Sequence, residues 1–190
     1  MQTETIGLPS RSTKGDDLAI PRRKVRGSVP ENTLMVRDAQ GHYNVASPDQ
    51  ILAAARAIID RIMRRGTSFS DPKIAKDYLS GKLAGRECEI FAVLFLDAKH
   101  RLIEYVELFR GTVSESKIYP REVVKESLAR NAAALIVAHN HPSGMPEPSL
   151  ADRNVTKRLR EALALVDVRL LDHILVTGHT AVSFQELGVF

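Results

Sequence analysis

Apolar residues follow two rhythms along this 190-residue chain, and the change falls near Glu89. Upstream, Ile51, Leu52, Ala55, Ile58, Ile59 and Ile62 recur at helical spacing, the pattern of a helix with one apolar face. Ser47-Pro48-Asp49-Gln50 opens that helix with an N-cap, a proline in the first turn and a capping-box glutamine. Gly66 is placed to end it. A second helix is predicted from Ser70-Asp71-Pro72 to about Leu83. Before Ser47 the chain is polar and punctuated by Gly and Pro. It predicts one short strand pair, at residues 33–36 and 42–45, around an Ala39-Gln40-Gly41 turn.

Downstream, continuous apolar runs replace the helical spacing. Residues 90–96 (IFAVLFL) read as a central strand, and the run from Ala132 to Ala138 as a second buried strand. Residues 102–110 alternate apolar and polar, which suits a hairpin partner across a turn at Asp97-Ala98-Lys99-His100. Pro120-Arg121-Glu122 starts a helix to about Arg130, residues 150–165 supply another, and residues 168–176 and 181–184 return to strand. Strands interleaved with helices predict an α/β fold. No internal repeat or low-complexity tract interrupts it.

The second buried strand runs directly into His139-Asn140-His141-Pro142-Ser143-Gly144, followed by Ser149 and Asp152. In an extended strand, residues i and i+2 point to the same side, so both imidazoles leave the strand end on one face. The prolines and glycine that follow make a stiff turn. Ser149 has the character of an N-cap, with Asp152 in the first turn of the next helix, and the turn brings that carboxylate back over the histidines. Two His, one Asp and an open fourth position are the donor set of a catalytic zinc site. Capping alone also accounts for Ser149 and Asp152, because acidic residues favour a helix N-terminus. The letters His-Asn-His echo the HNH nucleases, but there the three residues are dispersed over a longer element.

Composition narrows the field. The chain is 44% hydrophobic and 26% charged, as ordinary soluble globular proteins are. No run of about eighteen apolar residues is available for a membrane span. Met1 to Ser12 lacks the apolar core of a secretory signal. Cys88 is the single cysteine, which excludes internal disulfides, cysteine-based zinc sites and the zinc deaminases. A reducing, cytoplasmic compartment is expected. Cys88 itself is expected to be a small buried apolar residue, and His42 and His100, in turns, to be exposed. The net charge of +4 and pI near 9.3 are mildly basic. Basic residues cluster at Arg11, Lys14, Arg22, Arg23, Lys24 and Arg26, and on one helix at Arg56, Arg61, Arg64 and Arg65. These suit either a solvated surface or weak, non-specific contact with DNA phosphates. No aromatic residues are interleaved with them to stack single-stranded bases.

His139 to Gly144, Pro146-x-Pro148-Ser149-x-x-Asp152, Pro120-Arg121-Glu122 and Leu171-Asp172-His173 together resemble the RadC proteins, over about residues 70–190. Those belong to the JAB1/MPN/Mov34 (JAMM) metalloenzyme class, whose signature is Glu, then His-x-His, then ten residues, then Asp. The resemblance implies a three-layer α/β fold, cytidine-deaminase-like, with a central mixed β-sheet flanked by helices. It also implies one zinc ion per chain, held by His139, His141 and Asp152, and hydrolysis of a protein or peptide substrate at peptide or isopeptide bonds. A general base is expected from a glutamate just before the first central strand. Of Glu87 and Glu89, the resemblance selects Glu89. Ser149 is expected to donate to a developing oxyanion or to position Asp152. Asp172-His173 is open to two readings, as support for a metal-bound imidazole or as a core pair. The alternative function is a DNA-repair-associated accessory protein with a structural or vestigial metal site.

The chain departs from that pattern in two places. RadC proteins usually carry an N-terminal helix-hairpin-helix region, and the seventy residues before the match hold no recognisable glycine hairpin. Tyr119 stands where the family often has His. The organisation expected is a flexible basic tail (1–46), a helix and linker (47–69) and a short-form RadC-like MPN domain (70–190).

Overall fold

A computed structural model describes residues 33–111, 118–178 and 180–189, which divide into two compact units between Ala46 and Ser47. The basic cluster between Arg11 and Arg26, and most of the expected tail, lie outside the described residues. In the first unit, β1 (Met35–Arg37) pairs antiparallel with β2 (Tyr43–Val45). Asp38 closes the turn between them, its carboxylate accepting from the backbone N–H groups of Gln40 and His42.

The second unit begins with α1 (Pro48–Ile62) and α2 (Pro72–Leu83). The expected capping box is present: Ser47 Oγ accepts from Gln50 N–H and the Gln50 side chain accepts from Ser47 N–H. The inward face of α1 differs from the expected one. Leu52 and Ile59 turn toward α2, where the close approach leaves no room for a Cβ on Gly81, 2.1 Å from Ile59 Cδ1. Ile51, Ile58 and Ile62 stay exposed. Arg56 leaves the expected basic face, because its guanidinium donates to the Ala84 carbonyl at 3.0 Å. Helix α1 ends at Ile62, ahead of Gly66, so Arg64 and Arg65 lie in the link that follows.

One five-stranded sheet carries the rest. Its strands are β3 (Ile90–Leu96), β4 (Leu102–Arg110), β5 (Ala134–Asn140), β6 (Arg169–Val176) and β7 (Ala181–Ser183), in the spatial order β4-β3-β5-β6-β7. Only β5 and β6 run parallel. Helices α3 (Pro120–Ala129) and α4 (Leu150–Ala164) lie between β4, β5 and β6 in the chain. Because alternate residues of a strand face opposite sides, the runs in β3 and β5 feed two cores at once. Ala92, Leu94, Ile136 and Ala138 pack with Ala75, Leu79 and Leu83 of α2. Phe91, Val93, Phe95, Leu135 and Val137 pack with Val123 of α3 and with Leu159 and Leu163 of α4. A mixed sheet between two helical layers results. His100 turns through the left-handed region (φ +55) and accepts from Arg169 at 2.9 Å, so it is half-buried where full exposure was expected. No helix among the described residues is long and apolar enough to cross a membrane.

Leu159 is fully buried where α4 meets the sheet. Leu159→Ala is expected to cost about 2–5 kcal/mol of stability, measured by urea unfolding of the full chain. A loss well under 1 kcal/mol would mean that α4 does not seat on the sheet as described.

Candidate metal centre

The last residues of β5 carry the site, and the strand's pleat sorts them. His139 shares its face with Leu135 and Val137 and is 1% exposed, beneath α4. His141 follows on the same side, its N–H donating to the Val176 carbonyl at 2.9 Å. A turn then closes with Gly144 N–H on the His141 carbonyl at 3.0 Å. Gly144 adopts φ +80, a conformation that costs little only without a side chain. The turn returns the Met145 carbonyl to His141 Nδ1 at 2.9 Å. A carbonyl can only accept, so Nδ1 of neutral His141 holds the proton and its Nε2 presents a lone pair.

Ser149 caps α4 and at the same time holds Asp152. Its backbone N–H and its hydroxyl both donate to Asp152 Oδ2, at 2.8 and 2.6 Å, and its Oγ accepts from Asp152 N–H at 3.1 Å. The capping box and the site therefore use the same residues. Asp152 Oδ1 faces His139 Nε2 at 3.4 Å, Oδ2 lies 3.6 Å from His141 Nε2, and the two Nε2 atoms are 3.1 Å apart. One donor atom from each of His139, His141 and Asp152 falls within 4.8 Å of the others. Burial pushes the Asp152 carboxyl up, but the His139 imidazole and the Ser149 donors outweigh it and hold the group well below the ordinary carboxylate range. Two ring nitrogens and a carboxylate oxygen converge, a donor set that fits a divalent ion such as zinc. With side-chain exposures of 16% and 15%, His141 and Asp152 leave one side of the cluster open to solvent.

Glu89 lies just ahead of β3, the strand that pairs with β5. Phe91 pairs with His139 across β3 and β5. Glu89 stands two residues before Phe91, where alternation along an extended chain would give it the face of Phe91. Glu89 is half-buried and stands outside the three-residue ligand cluster, whereas Glu87 is exposed in a bend. Asn140, between the two histidines, points to the other side and is 3% exposed. Its Oδ1 accepts from Ile90 N–H at 2.8 Å and its Nδ2 donates to the Cys88 carbonyl at 3.0 Å. Asn140 thereby grips the peptide groups on both sides of Glu89. This role went unrecognised in the sequence, although a polar residue inside a buried apolar strand was a usable signal. Cys88 is exposed rather than buried, because β3 begins only at Ile90 and the segment before it is held through its backbone.

Asp172 and His173 make separate sets of contacts. Asp172 anchors the sheet edge: it accepts from Ser183 Oγ at 2.5 Å and from the backbone N–H groups of His173 and Gln185 at 2.7 and 3.1 Å. Burial still pushes its carboxyl up. His173 turns to the opposite face, stacks on Phe184 at 4.3 Å, and places its Nε2 2.7 Å from His139 Nδ1. Burial, then the neighbouring His139, pushes the His173 imidazole well below its ordinary range, which keeps it neutral.

A mixed five-stranded sheet between helices, with a His-x-His pair at a central strand end and an Asp at the following helix start, defines a JAB/MPN-like α/β domain. The RadC-like JAB domain family matches residues 69–189, and the chain belongs to that family. It is 58% identical over 139 residues to a UPF0758 protein of Vibrio cholerae, covering 73% of this chain and 87% of that one. It is 49% identical over 148 residues to a UPF0758 protein of Thiobacillus denitrificans, covering 78% and 66%. A UPF0758 protein of Shewanella baltica is 46% identical over 160 residues, covering 84% and 71%.

Two measurements check this geometry. The purified protein is expected to carry close to one equivalent of zinc, and the double variant His139→Ala/His141→Ala to lose most of it, read by elemental analysis. Retention of the full amount would place the ion elsewhere. Asn140→Ala leaves the buried Ile90 N–H without its partner and is expected to cost about 1–3 kcal/mol, read by chemical denaturation. A neutral substitution would show that the clamp does not hold the strand.

Proposed function

We propose that this protein is a zinc-dependent hydrolase that cleaves peptide or isopeptide bonds in a protein or peptide substrate. The observation that carries this reading is the convergence of His139, His141 and Asp152, with His141 and Asp152 partly open to solvent. Glu89, just ahead of the paired strand β3, is the acid this reading assigns as base. A closed structural site has no use for an open side or for a general base.

His139, His141 and Asp152 would hold the ion. Bound there, zinc supplies Lewis acidity, which brings the pKa of water towards about 7 and polarises a carbonyl. The remaining work falls to side chains of the chain itself. Glu89 accepts the proton of the attacking water and returns it to the leaving amine, so one carboxylate serves as base and then as acid. Asn140 keeps the backbone of Glu89 in place through both adjoining peptide groups. Ser149, its hydroxyl given to Asp152, acts by orienting that carboxylate rather than by donating to an oxyanion.

Glu89→Gln keeps side-chain volume and removes the base. In a peptide-library cleavage screen, hydrolysis is expected to fall by roughly two to four orders of magnitude, with zinc content and melting temperature little changed. Asp152→Asn is expected to lower zinc content and hydrolysis together, because it removes the anionic ligand. Loss of activity in Glu87→Gln with full activity in Glu89→Gln would move the base to Glu87. Indifference to both substitutions would favour an accessory protein with a structural metal.

A further inference from the structure

Behind the metal cluster, hydrogen bonds run from one proposed ligand to another through two residues that touch no ion. They begin at the Asp152 backbone carbonyl, which can only accept. Thr156 Oγ1 lies 2.6 Å from that oxygen and donates its single hydrogen there. The next contact, Thr156 Oγ1 to His173 Nδ1 at 2.5 Å, must then be donated by the imidazole. His173 is fully enclosed, stacked on Phe184 at 4.3 Å and edge-on to Phe91 at 5.8 Å. As a neutral ring with its proton on Nδ1, it presents a lone pair at Nε2. His139 Nδ1, 2.7 Å away, must donate to it. A neutral His139, as an ion would require, is thereby left with its lone pair on Nε2, the atom that faces His141 and Asp152.

We propose that Thr156 and His173 are positioning residues that fix the tautomer of His139, so that this buried imidazole offers a lone pair to the ion. The relay starts on α4 at the backbone of one ligand, crosses to β6, and ends on β5 at another ligand. Both ends of the relay are thus residues that would hold the ion. The proposal rests on the metal reading above. His141 needs no such device, because the Met145 carbonyl orients it directly. His139 is 1% exposed, so its Nδ1 is oriented by a protein group, His173, rather than by bulk solvent.

Thr156→Val tests the relay at nearly constant volume. Without the hydroxyl, a proton on His173 Nδ1 has no acceptor, so it is expected to move to Nε2. His139 must then accept at Nδ1 and carry its own proton on Nε2, where it competes with the ion. Outer hydrogen-bond partners of metal-bound histidines typically contribute 10–100-fold to affinity. Zinc affinity, measured by chelator competition on the full chain, is expected to fall by about that factor in Thr156→Val and to return in Thr156→Ser. Nitrogen-15 NMR of the metal-free chain, assigned with single His→Gln variants, reads the tautomers directly. In the unaltered chain His139 and His173 are expected to carry the proton on Nδ1, and in Thr156→Val on Nε2. Unchanged affinity in Thr156→Val, or an Nε2 proton on His173 in the unaltered chain, would overturn the relay. Failure of the unaltered chain to bind zinc would overturn the metal reading instead. The NMR tautomers would still decide the relay in that case.

Discussion

At the end of β5 the pleat sends His139 and His141 to one face of the sheet and Asn140 to the other, and each part of the site is arranged about that alternation. A slip of one residue in the register with β3 would turn Asn140 toward α4 and both imidazoles toward α2. The register is protected by burial on both faces: β3 and β5 are buried at all seven positions each. Such strands cannot shift without sending two sets of apolar residues to the wrong core. Asn140, on the other face, grips the peptide groups on both sides of Glu89, just ahead of β3. Ordinary strand packing thus positions both imidazoles of the candidate site.

Asp152 arrives by a different route, and there competing effects must be weighed. Half-burial opposes a carboxylate, yet the charged form wins because the His139 imidazole, the Ser149 hydroxyl and a backbone N–H all favour it. The capping reading and the metal reading of Ser149 and Asp152 are therefore compatible. The cap fixes one carboxylate oxygen, and the other faces His139. An ion bound only by the folded state adds its own stabilisation, about 4 kcal/mol at a thousand-fold excess over its dissociation constant. That is comparable to the loss expected from emptying one core position.

The sheet was largely legible in the sequence because its central strands are uninterrupted apolar runs, and the convergence of His139, His141 and Asp152 was legible because their spacing on a strand and a helix start has a geometric meaning. What escaped depended on contacts distant in sequence. The exposed Ile51, Ile58 and Ile62 of α1 share helical spacing with the inward Leu52 and Ile59, and only the position of α2 separates them. Arg56 resembled a surface cation until the Ala84 carbonyl, 28 residues away, claimed it. Cys88 has the chemistry of a buried residue but lies just short of the strand. Thr156 carries no motif, and its link to His173, which the sequence did single out, appears only when α4 is laid over β6.

The claim beneath all of this is that two imidazoles and one carboxylate share a single divalent ion. X-ray absorption spectroscopy of the zinc-loaded protein tests it most directly. The account predicts a shell of nitrogen and oxygen only, at about 2.0–2.2 Å, with the scattering signature of two imidazoles. A sulfur neighbour near 2.3 Å, contributed by Cys88, or a shell without imidazole, would contradict it.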